Sequence, residues 1–91
     1  ATHIALVHKG QLLRESAPED LLQELEGKVW EWTVSSDDLP AIKLKHIVSG
    51  TIRRSDGVQV RVVSGSQPEA QAHSVNPSLE DAYLYFIGGK Q

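Results

Sequence analysis

Ninety-one residues suffice for one small domain, and folding buries only ~60% of the surface that such an unfolded chain exposes. Apolar residues are 40% and charged residues 23% of the chain, an ordinary globular composition that excludes a disordered or collagen-like polymer, and no run reaches the roughly 18 apolar residues of a membrane span. A net charge of −3 argues against nucleic acid as a partner, and the absence of cysteine removes disulfides, thiolate metal ligands and thiol nucleophiles together, which suits a cytoplasmic protein.

The chain also lacks methionine and opens Ala1-Thr2-His3 with no signal pattern, which reads as a piece of a longer polypeptide. The first element is a β-hairpin, Ile4 to His8 and Gln11 to Arg14 about a Lys9-Gly10 turn, in which Gly10 supplies positive φ. Both strands carry short continuous apolar runs, Ile4 to Val7 and Leu12-Leu13, the pattern of strands covered on two faces. A short helix follows, with Ser16 and Glu19 at capping-box spacing, Pro18 in the first turn, a Leu21/Leu22/Leu25 stripe and Gly27 at the left-handed C′ position.

Trp30, Trp32 and Val34 alternate with Glu31 and Thr33, so the segment from Lys28 is a strand with one aromatic face. Ser35 to Asp38 is a turn or cap cluster, and one helical turn is expected over Leu39 to Lys43. Two further strands, Ile47 to Arg54 and Val58 to Val63, flank Ser55-Asp56-Gly57. A three-residue loop there pairs Ile52 with Val60 and Gly50 with Val62, keeping the apolar residues together. Residues 64–76 are polar and turn-rich, with a short edge strand near Ala72 to Val75. The last helix has Ser78 and Asp81 at capping-box spacing and Leu79, Ala82, Tyr83, Phe86 and Ile87 on one stripe, and Gly88-Gly89 end it.

Catalytic patterns are missing from this sequence. It has no phosphate-binding glycine loop, no dinucleotide fingerprint and no nucleophile elbow, and His3, His8, His46 and His73 show no ligand spacing. Lys43, Lys45, His46, Arg53 and Arg54 read as charges blunting a sheet edge, and the Trp30/Trp32 pair as core. Glu80 and Asp81 point about a hundred degrees apart on a helix, so they form no acid/base pair, and first-turn negative charge explains them.

Two stretches carry a resemblance: Ile4 to Leu13 followed by Ala17-Pro18-Glu19-Asp20-Leu21-Leu22, and Asn76-Pro77-Ser78-Leu79-Glu80-Asp81-Ala82-Tyr83-Leu84. The first resembles the end of the nucleotide-binding core in ATP-binding subunits of ABC transporters. The second resembles the helix closing the C-terminal accessory domain of the exporter type, the multidrug, antibiotic and sodium class. The resemblance implies residues 1–27 as the tail of the core and residues 28–91 as the accessory domain. Its motif residues here are Gly10, Pro18, Pro77, Ser78, Leu79, Glu80 and Asp81, all structural.

In that family the phosphate loop, signature sequence, catalytic glutamate and switch histidine lie upstream, and His3 abuts its strand too closely to be the last of these. The implied chain is therefore not itself an enzyme and holds no cofactor, whereas its parent would use ATP and Mg to drive export. Implied partners are a membrane subunit and a second ATP-binding subunit, with homodimers and a cytoplasmic position peripheral to the inner face of the cell membrane, without insertion. The expected fold is α+β, a small antiparallel sheet with flanking helices, ferredoxin-like or a truncated version of it. The alternative is a freestanding ferredoxin-like module that senses a small ligand. An acylphosphatase-like enzyme ranks below both, since Asn76 is the only asparagine.

Overall fold

The structure, a computed structural model, describes residues 3–88, and over them the chain forms an α+β fold of two antiparallel sheets and three α-helices. Strands β1 (Ile4–His8) and β2 (Gln11–Ser16) make a two-stranded sheet. Lys9 and Gly10 both take positive φ, 52° and 77°, the pairing a type I′ turn demands, and its twist matches that of the strands. A bulge at Leu13 turns that residue toward the core. The expectation of strands covered on both faces fails. Only Leu6 is buried, and the cross-strand neighbours Val7 and Leu12 are 51% and 60% exposed, because helices of this chain cover one face alone.

Helix α1 (Pro18–Glu24) begins at Ala17, not at Ser16. Ser16 is still paired with Ile4 in the hairpin, so the expected capping box does not form and Pro18 sets the start instead. Gly27 is left-handed as its position requires, but two residues past the helix cap at Leu25.

The larger sheet contains β3 (Val29–Val34), β4 (Ile47–Arg54), β5 (Gly57–Val63) and β6 (His73–Ser74), in the order β4-β5-β3-β6. Helix α2 (Leu39–Lys45) follows a 3₁₀ turn, Ser36–Asp38, in which the Asp37 amide donates to the Ser35 hydroxyl. Since β3 and β4 both run antiparallel to β5 between them, β3-α2-β4 is the split βαβ unit of ferredoxin-like sheets. Residues 64–72 stand where that arrangement has its second helix, so the truncated version is the one observed.

The β4–β5 register differs from the expected one. Ser55 and Asp56 alone form the loop, with Arg54 opposite Gly57 and Ile52 opposite Gln59. Gly57 sits at φ 143°, where a Cβ would lie 2.5 Å from the Val34 carbonyl oxygen, so the close approach of β3 requires glycine. Val58, Val60 and Val62 already bury themselves opposite Val34, Trp32 and Trp30, so nothing holds Ile52 on that face, and it stays 53% exposed on the other. A bulge at Ser49 then brings Val48 back opposite Val62.

Both faces of this sheet are covered. One packs Trp32, Val58, Val60 and Val62 against Leu39 and Ile42 of α2 and against Ala72. The other packs Val29 and Val63 against Leu6, Leu21, Leu25 and, from α3 (Leu79–Gly88), Ala82 with Tyr83 and Phe86. The terminal helix packs on this second face, since α2 and the 64–72 stretch already occupy the side of Trp32, Val60 and Val62. Residues 3–27 and 28–88 also share this second core, as Leu6, Leu21 and Leu25 lie in one cluster with Val29 and Ala82. The expected stop at Gly88-Gly89 falls at and past the last described residue. No described helix is long and apolar enough to cross a membrane.

Candidate functional site

The motif residues separate into three places. Gly10 closes the β1–β2 hairpin, Pro18 opens α1, and Pro77 to Asp81 forms the entry to α3. At this last place the sequence does more than start a helix. The Ser78 amide donates to Asp81 Oδ2 at 2.8 Å and the Asp81 amide donates to Ser78 Oγ at 3.3 Å, the reciprocal bonds of a capping box. Leu79 and Glu80 are exposed beside it, whereas Asp81 is 1% exposed.

A carboxylate so deeply placed needs a partner, and Arg61 of β5 provides it. Arg61 Nε donates to both Asp81 oxygens at 3.1 and 3.2 Å, and its Nη2 donates to Oδ2 at 2.8 Å. The same Nη2 reaches the Asn76 carbonyl at 2.7 Å, while Nη1 donates to Glu31 Oε2 at 2.8 Å. Gln59 extends the row, donating to Glu31 Oε1 at 2.8 Å. Alternation on β3 and β5 explains the placement: Glu31 and Arg61 are cross-strand neighbours on the face opposite the tryptophans.

Burial pushes the Asp81 carboxyl up, but hydrogen bonds from Arg61, then from Ser49 and Ser78, outweigh it and hold the pKa below the ordinary value. The hydrogen bond to Asp81 raises the Arg61 pKa, burial opposes this, and Glu31 adds to the rise. Each nitrogen of the guanidinium already donates to a carboxylate or carbonyl of the chain, so Arg61 offers no open fork to a phosphate. The cluster ties the sheet to the terminal helix and the preceding loop.

Arg61 and Glu31 escape sequence reasoning. A cationic residue flanked by Val60, Val62 and Val63 is a signal that one face of that strand is polar, but its partners follow only from the β3–β5 register. Asp81 is found from sequence as a capping residue, and its ion pair is not.

Elsewhere, His8 Nδ1 lies 3.4 Å from the Tyr83 hydroxyl, tying the hairpin to α3, and Trp30 Nε1 donates to the Ser64 carbonyl at 3.0 Å. Of the basic residues expected at the sheet edge, Lys43, Lys45 and His46 border one cavity of about 380 Å³ against Leu84 and Ile87. Arg53 and Arg54 end β4. No group of three or more His, Asp or Glu among the described residues is arranged to hold a metal.

Comparison with protein families, with curated proteins and with solved structures finds no match for this chain.

Proposed function

We propose that this chain is the C-terminal region of an ABC transporter ATP-binding subunit of the exporter type, acting as a contact module and not as a catalyst. The observation that carries the reading is the Pro77-Ser78-Leu79-Glu80-Asp81 segment. A motif shared with that accessory domain would need a structural reason to persist, and here Asp81 both caps the last helix and anchors it to Arg61. The hairpin supports the same reading, because Val7 and Leu12 leave an apolar face that an ATPase core would cover.

In this reading the parent couples ATP hydrolysis, with Mg, to export through a membrane subunit. The chain itself binds no nucleotide, pairs with a second ATP-binding subunit, and lies against the inner face of the membrane through its partner. A second reading, the freestanding ligand-sensing module, is favoured by the split βαβ strand order of residues 29–74.

The coding sequence upstream of Ala1 separates the two. A phosphate-binding loop and a signature sequence there are expected, and an upstream stop codon would sink the transporter reading. ATP titration by calorimetry on the chain should give no stoichiometric heat. Light scattering should show dimers, and a monomer at every concentration would remove the pairing from the proposal.

A further inference from the structure

A cavity of about 220 Å³ opens between β3, α2 and the 64–72 stretch, away from the Arg61 cluster. Its apolar lining is Trp32, Val34 and Ile42, with His46 set edge-on to Trp32 at 6.5 Å between ring centroids. Around this lining stand Asp38, Lys45 and Glu69.

All three of these charged side chains are exposed at the rim. Asp38 occupies the cap position of α2, where an aspartate ordinarily bonds a helix amide, yet its side chain caps nothing. Asp38, Lys45 and Glu69 make no ion pair among the described residues. The cavity wall is nevertheless fixed. Gln67 Nε2 donates to the carbonyls of Ala70 and Ala72 at 3.2 and 3.0 Å, and the Ala72 amide donates to the Glu69 carbonyl, so Glu69 is presented from a braced turn. Trp32 is 3% exposed, packed in the core with Val58, Val60 and Ala72.

We propose that this cavity binds a small aminocarboxylate with an apolar body. The ammonium faces Asp38 and Glu69, the carboxylate faces Lys45 and His46, and the carbon skeleton lies on Trp32, Val34 and Ile42. Asp38 and Lys45 sit at opposite ends of α2, about 10 Å apart along its axis, so a molecule with its charges at the two ends spans them. A compact α-amino acid carries the same chemistry and requires the two side chains to lean inward. A ligand with one charge leaves either the two carboxylates or Lys45 unmatched. The proposal is independent of the transporter reading, because binding is measured on this chain alone.

The test is titration of the chain with 6-aminohexanoate and with L-leucine, followed by tryptophan fluorescence and calorimetry, with hexylamine and hexanoate as single-charge controls. One of the two aminocarboxylates is expected to bind at least about tenfold more tightly than both controls, and which one does so tells whether the charges are read at a distance or together. Asp38→Asn and Lys45→Gln should each weaken that binding by about tenfold while leaving the unfolding midpoint unchanged. No saturable binding by either aminocarboxylate would overturn the proposal. So would equal binding of a control, or binding indifferent to both substitutions.

Discussion

Under α2, the four-stranded sheet presents Trp32, Val58, Val60 and Val62 to Leu39 and Ile42; under α3 it presents Val29 and Val63 alongside an arginine held by two carboxylates. The apolar face works by area, since each buried aliphatic or aromatic side chain contributes roughly 1.5–3 kcal/mol whatever the details of its neighbours. The mixed face works by geometry. A buried ion pair adds little net stability over an apolar pair of the same shape, but it costs a great deal if one member is missing. Area holds the sheet together, whereas the cluster dictates where the terminal helix begins.

The largest expected effect tests the apolar side. Trp32→Ala should cost about 4 kcal/mol, read as a drop in the denaturant midpoint, and a loss below about 1 kcal/mol would show that α2 and Ala72 close over the gap. Next, Arg61→Ala leaves Asp81 buried with no cation and should cost about 3 kcal/mol, whereas the double change Arg61→Met with Asp81→Asn, which removes both charges but keeps a side-chain acceptor for the Ser78 amide, should recover at least about 1 kcal/mol of that loss. If the double variant is as unstable as the single one, the pair contributes stability and the contrast between the faces is wrong.

Acid sharpens the same contrast. The Asp81 pKa is lowered in the folded state, so its stabilisation is present above the ordinary aspartate pKa of about 3.9 and is lost as pH falls below it. Chemical denaturation at neutral pH and again below about pH 3.9 should show the parent losing stability relative to the double variant, and parallel losses would break the assignment. The smallest effect is at Glu31, a partly exposed member of the cluster, where Glu31→Gln should cost below about 1 kcal/mol by the same measurement.

Much of this fold is legible in the sequence because its signals are local. The Trp30, Trp32, Val34 alternation defines β3, the Leu79 to Ile87 spacing with Ser78 and Asp81 defines α3, and Lys9-Gly10 defines the first turn. What is not legible depends on distant partners. Ser16 has good cap chemistry, but its pairing with Ile4 keeps it in a strand. Ile52 looks like core until β5 commits its valines to the tryptophan strand, and the face taken by α3 follows only once α2 has occupied the other. At the candidate site the cap was visible, and Arg61 and Glu31 were not, since 30 residues separate them in sequence and only register joins them.

The double duty of Asp81 also bears on the order in which the molecule assembles. A ten-residue helix is too short to persist alone, and its first turn is the slow, costly step. Here the residue that closes that turn needs a positive charge delivered by β5, which is in place only after β5 has paired with β3. Nucleation of the last helix is thereby made conditional on the sheet, so conservative substitutions at Val60 should slow folding, while those at Ala82 should chiefly speed unfolding.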